Sequence, residues 1–184
     1  MKELIRRIIR EEINKDIILY HGTNATFKDF DVNKSGLIKY SDWGPGIYFT
    51  KSKSQANNYR IDAVKKFNKE YIDAFDDYEQ SEKNLKKIKK GTPEYKKMDD
   101  EVFKKLKRFQ QISKELNSTE EGRIIKAKIK PNAKIYRYES SSGMTDPYLT
   151  KEVKSKGYDI LLVDEGKYTE EYVVINPNSI EILE

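Results

Sequence analysis

Three short clusters hold the side chains with which this chain could do chemistry. They are Tyr20-His21-Gly22-Thr23, then Gly46-Ile47-Tyr48-Phe49-Thr50 with Tyr59 eleven positions after Tyr48, and Glu171-Tyr172-Val173-Val174. Two tyrosines facing across a slot clamp a flat ring, each stacked pair contributing about 0.5–1.5 kcal/mol. Glu171 heads the third cluster, and Glu170 precedes it on the opposite face of a strand, so the two carboxylates compete by register. His21 is the chain's one histidine and there is no cysteine, which excludes disulfides, thiolate metal sites and a cysteine nucleophile. No metal site is expected, since His-rich ligand sets are also excluded.

These residues need elements to hold them. Before Tyr48, the run Asp42-Trp43-Gly44-Pro45-Gly46 reads as a tight turn, with Gly44 and Gly46 expected at positive φ and Pro45 fixing its own. Residues 47–50 then read as a short strand of β-branched and aromatic residues. Ser52 or Ser54 caps a helix that carries Ala56 and Tyr59. His21 ends a continuous apolar strand over 17–21, which is expected to be central and covered on both faces.

From about Arg60 to Asn117 apolar residues recur at three and four: Ala63, Phe67, Tyr71, Ala74, Phe75, Tyr78, Leu85 and Ile88, then Tyr95, Met98, Val102, Phe103, Leu106, Phe109, Ile112 and Leu116. Gly91-Thr92-Pro93 separates two runs, with Thr92 as N-cap and Pro93 at the first helical position. The segment 60–118 therefore reads as a long helical hairpin laced with charge, its turn flanked by Lys86, Lys87, Lys89 and Lys90. Residues 1–15 form an amphipathic helix with Ile5, Ile8, Ile9 and Ile13 on one stripe. The remainder is β-rich: strands over 123–130, 134–138, 158–163, 171–176 and 179–183, with a short helix from Pro147 to Lys156.

With 184 residues, 36% of them hydrophobic and 36% charged, the chain is expected to form one α+β domain over 1–184. A mean hydropathy of −0.87 and the lack of any apolar run near ~18 residues exclude a spanning helix, and no secretion signal is readable at the N-terminus. A cytoplasmic protein is the expectation, with no membrane partner. The net charge of +5 favours acidic partners only weakly, because 31 acidic residues are interspersed with 36 basic ones.

In their order, the three clusters resemble the His-Tyr-Glu class of ADP-ribosyltransferases, shared by diphtheria toxin and the poly(ADP-ribose) polymerases. Tyr-His-Gly-Thr looks like that class's first-strand motif. The interval from Tyr48 to Tyr59 matches the spacing of its two ring-stacking tyrosines, and Glu171 before Tyr-Val-Val looks like its catalytic glutamate. The resemblance covers roughly 17–60 and 121–183, and it makes 60–118 look like an insertion. It implies a split antiparallel β-sheet core within an α+β fold, NAD as co-substrate, and transfer of ADP-ribose to a macromolecular acceptor, a protein more than a nucleic acid. Docking of that partner through residues 1–15 or the hairpin is a further expectation.

By the same resemblance His21 holds the adenosine-side ribose, the Gly22-Thr23 backbone region holds the nicotinamide amide, and Tyr48 and Tyr59 sandwich the nicotinamide. Glu171, with His21 and Tyr48, forms the catalytic set. Cleavage of the nicotinamide–ribose bond develops oxocarbenium-like charge, which a carboxylate near the ribose stabilises. Poly(ADP-ribose) polymerases carry Lys-Ser-Ala-Asn-Tyr before the second tyrosine, whereas this chain has Gln55-Ala56-Asn57-Asn58-Tyr59. The serine that bonds the nicotinamide amide in that family is therefore alanine here, or is replaced by Ser54 from a shifted register. No polymer-elongation apparatus is recognisable, which implies mono-ADP-ribosylation. The compact, Lys-rich chain suits a bacterial or phage effector, a toxin for instance, acting in a host cytoplasm or carried in a virion. Beside this reading stand a catalytically silent scaffold or virion protein of the same fold, NAD hydrolysis without transfer, and a nucleic-acid-binding protein led by Lys86–Lys90.

Overall fold

The computed structural model describes residues 17–25, 42–140, 145–164, 166 and 170–183. The helix expected over 1–15, the polar loop leading to Tyr40 and most of the serine loop after Ser140 lie outside the described residues.

Seven strands form one sheet: β1 (Ile18–Thr23), β2 (Ile47–Thr50), β3 (Arg123–Ile129), β4 (Ile135–Glu139), β5 (Ile160–Asp164), β6 (Glu170–Val174) and β7 (Ile180–Ile182). Their order is β4-β5-β6-β2-β1-β3-β7. β1 is thus internal, as its apolar composition requires. The sheet is mixed, which corrects the all-antiparallel expectation. β4 and β5 run parallel, Ile135 opposite Ile160, because the chain between them crosses over through a short helix.

The join between β1 and β2 is the sheet's weak line. One registered pair, Tyr20↔Thr50, links them, whereas β1 pairs with β3 along its whole length and β2 with β6 likewise. Two half-sheets therefore meet at β1/β2. Both halves supply the main core: Leu19, Ala127, Ile129 and Ile180 from one, Phe49, Ile160, Tyr172 and Val174 from the other. A second core on the opposite face joins Trp43, Leu161, Val163 and Val173 to a short helix.

Four helices complete the described fold: α1 (Lys53–Phe67), α2 (Lys69–Leu85), α3 (Pro93–Asn117) and α4 (Leu149–Ser155). Ser52 caps α1, its hydroxyl accepting from the Gln55 amide at 3.2 Å. The hairpin expected over 60–118 begins later than the apolar periodicity indicates. Asn68 ends α1 and caps α2 by accepting from the Tyr71 amide at 2.9 Å, so the stripe from Ala63 to Tyr71 is broken and Phe67 is left 70% exposed. α2 and α3 then zip along Ala74, Val102 and Ile112, with Tyr71, Phe75 and Tyr78 ringed around Phe109. Thr92 caps α3 as expected, accepting from the Tyr95 amide at 3.1 Å.

Candidate active site

The turn before β2 fixes Tyr48. Gly44 has φ 97°, a conformation that favours glycine, and its carbonyl accepts the Tyr48 hydroxyl proton at 2.8 Å while that oxygen accepts from the Trp43 amide at 3.3 Å. Gly46, expected at positive φ as well, is needed for space instead. A Cβ there would meet Cγ1 of Val173 at 2.3 Å.

Directly opposed residues of an antiparallel pair share a face. The pairs Tyr48↔Val173, Thr50↔Glu171 and Tyr20↔Thr50 therefore put Tyr20, Tyr48, Thr50 and Glu171 on one face of the sheet, the face against which α1 packs. His21, Phe49, Glu170 and Tyr172 alternate to the other. That alternation separates the two candidate glutamates. Glu170 is held by Lys51 Nζ at 2.6 Å and by the Tyr172 hydroxyl at 3.1 Å, and the bond from Lys51 is the main reason its carboxyl lies below the usual glutamate range.

Glu171 has different company. Tyr59, on α1, donates its hydroxyl to Oε1 of Glu171 at 3.3 Å. The same hydroxyl accepts from Gln55 Nε2 at 3.0 Å, and Gln55 Oε1 accepts from the Thr50 hydroxyl at 2.8 Å. The Thr50 oxygen in turn accepts from the Ser52 amide at 3.1 Å, next to the helix cap. A directed chain of donors thus runs from the start of α1 to the carboxylate, each acceptor used with the correct polarity. Thr50 is 2% exposed, whereas Glu171 and Tyr59 are half-buried, so the chain ends at a carboxylate that solvent and a ligand can reach. Thr50 lies in the second cluster, but neither it nor Gln55 is a candidate site residue by sequence. Gln55 sits one helical turn before Tyr59, and that spacing was the available signal.

His21 sits where the two half-sheets part. Its Nδ1 lies 2.7 Å from the Tyr48 carbonyl oxygen, so Nδ1 carries the proton and Nε2 is the acceptor nitrogen. The ring also lies 5.3 Å from that of Phe49. Burial holds the imidazole below its ordinary pKa of 6.5, the Tyr48 bond opposes this, and Arg123 adds to it, so the ring is neutral at neutral pH.

Gly22 and Thr23 have structural work of their own. A Cβ on Gly22 would come within 1.9 Å of the Ala56 carbonyl oxygen, so the close approach this glycine permits is that of α1. The Thr23 hydroxyl accepts from the Ala25 amide at 3.1 Å, closing the turn after β1. Ser54 lies exposed in the first turn of α1, and it is Ser52 that serves as cap. A surface depression at the far end of α1, lined by Asn24, Val64, Phe67, Asn68, Glu121 and Gly122, shares no residue with the Glu171 network. Among the described residues no helix is long and apolar enough to cross a membrane, and no cluster of His, Asp and Glu has the makeup of a metal site.

The site thus sets a reachable glutamate at the head of β6, tied to a helix-borne tyrosine, beside the line at which the α+β sheet parts. The chain belongs to the family of ADP-ribosyltransferases in polyvalent proteins, whose model it matches over residues 15–182. Comparison with curated proteins gave no match.

Proposed function

We propose that this ADP-ribosyltransferase is an NAD-dependent mono-ADP-ribosyltransferase of the His-Tyr-Glu class, acting on a macromolecular acceptor in the cytoplasm. In this reading the chain is one domain over 1–184 and the α2–α3 hairpin is an insertion in it. The observation that carries the catalytic part is the Tyr59–Glu171 hydrogen bond, which joins the second tyrosine of the resemblance to its glutamate.

In the reaction the bond between the ribose anomeric carbon and the nicotinamide nitrogen breaks, and its electron pair leaves with nicotinamide. The ribose carbon becomes cationic in character. Glu171, ionised and oriented by the Tyr59 hydroxyl, hydrogen-bonds a ribose hydroxyl and lowers the energy of that charge. His21 accepts a ribose hydroxyl through Nε2. The Tyr48 ring, locked by its own hydroxyl on the turn, stacks with Tyr59 about the nicotinamide. Gly22, Thr23 and Ser54 line the nicotinamide amide's surroundings. The acceptor's nucleophile then bonds to the ribose carbon and loses its proton.

The test is nicotinamide release from NAD by wild type and by Glu171→Gln, with thermal shift recorded in parallel. Loss of a transition-state electrostatic contact predicts a fall of roughly 10²-fold or more with folding unchanged. Equal release from both proteins, or none from either and no stabilisation by NAD, would sink the reading.

A further inference from the structure

The α2–α3 hairpin distributes its charge unevenly. Residues 68–82, its root on α2, carry six acids and one lysine. Residues 83–97, which turn the corner, carry seven lysines and one acid. With α2 spanning 17 residues, this tip lies ~25 Å along the helix from Asn68. Lys83 and Lys86 are neutralised by Glu79 and Glu82 one turn back. Lys87, Lys89, Lys90, Lys96 and Lys97 are exposed and carry no ion pair among the described residues.

Helix physics does not account for all of them. Cations near the end of α2 are favoured by its dipole, but Lys96 and Lys97 lie by the first turn of α3, where positive charge is disfavoured. Gathering them beside Lys89 and Lys90 costs stability through mutual repulsion. An external polyanion would offset that cost.

We propose that this tip binds the phosphate backbone of nucleic acid without reading its sequence. Two observations favour nucleic acid over an acidic protein. No large apolar side chain is exposed within 83–97, so the tip lacks the anchor that supplies most protein–protein binding energy. Its cations are all lysines, point charges on flexible stems that follow a phosphate track, with no arginine fork to grip carboxylates. The inference does not rest on the NAD chemistry, and either can fail alone.

The test measures anisotropy of a fluorescent 20-base-pair DNA duplex, and of labelled poly-glutamate, with the full chain across a salt series. A variant carrying Lys87→Gln, Lys89→Gln, Lys90→Gln and Lys97→Gln is compared at matched circular dichroism and melting temperature. Wild type is expected to bind duplex with a steep salt dependence, and the variant to bind at least ~10-fold more weakly with a log–log slope shallower by about 3–4. Nicotinamide release is expected to be the same in both. Should the fourfold variant fold poorly, Lys89→Gln alone carries the test, with a slope shallower by about 1. An unchanged slope, no duplex binding at low salt, or poly-glutamate bound as tightly as duplex overturns the proposal.

Discussion

The Tyr59 hydroxyl rests on the Glu171 carboxylate at 3.3 Å although 112 positions of sequence separate them, and Gln55 holds that hydroxyl from the other side at 3.0 Å. Tyr59 is therefore more than a ring: its oxygen fixes where the carboxylate points. Tyr59→Phe keeps the ring and deletes the bond. We expect nicotinamide release to fall about 10-fold in kcat with KM changed far less, since loss of one hydrogen bond to a charged group costs about 1.5–3 kcal/mol when made fully and this one is long. Gln55 acts through Tyr59, so Gln55→Leu is expected to lower kcat less than Tyr59→Phe and to add little on top of it. Additive losses in the double variant would show that Gln55 has a separate role.

The two adjacent glutamates make a paired control. Glu170 is on the opposite face and is engaged by Lys51 and Tyr172. Glu170→Gln is expected to leave nicotinamide release within about 3-fold of wild type. Its effect on stability is small too, because the Lys51 and Glu170 side chains are 49% and 31% exposed and such pairs contribute under about 1 kcal/mol. A Glu170→Gln loss matching that of Glu171→Gln would mean that the strand register does not separate the roles.

Much of this arrangement was legible in the residues. The seven strands announce themselves by β-branched and aromatic runs, and Thr92-Pro93 marks the start of α3 by known capping chemistry. The break at Asn68 was hidden because Phe67 and Tyr71 keep helical spacing across it, so an apolar stripe persists where the backbone stops. The parallel β4–β5 pair was hidden for another reason: both strands read alike whichever way they run, and only the crossover through α4 decides. At the site, register made Glu171 readable as one of two faces. The Thr50–Gln55 link was not readable, since neither residue type signals anything until helix and strand are set side by side.

Gly22 separates a packing role from a binding one. Because α1 lies against its Cα, Gly22→Ala sets a methyl 1.9 Å from the Ala56 carbonyl oxygen and 2.5 Å from the Arg60 amide nitrogen, both rigid backbone atoms. Overpacking of this kind costs about 1–3 kcal/mol or more. We expect a clear drop in melting temperature even without NAD, and reduced activity because α1 carries Tyr59 and Gln55. Wild-type stability in Gly22→Ala would contradict the close packing of α1 on β1.

His21 gives the chain a pH dependence whose sign follows from its environment. Burial keeps the folded-state pKa below the ordinary 6.5, so above that value the ring is neutral whether the chain is folded or not and contributes no slope. As pH falls below 6.5, the unfolded chain takes up a proton that the folded ring resists. The unfolded state then binds more protons, and stability is lost with a slope of at most about 1.4 kcal/mol per pH unit until the folded pKa is reached. Among the described residues whose carboxyls are held low, Asp164 and Glu170 start from ordinary values of 3.8 and 4.5, so their losses begin at lower pH. Denaturant melts between pH 5 and 7, compared between wild type and His21→Gln, therefore read the histidine. Wild type is expected to lose stability on acidification across that window, and His21→Gln to be flat there. An equal slope in His21→Gln would assign the titration to another group and remove the case for a neutral ring held on the Tyr48 carbonyl.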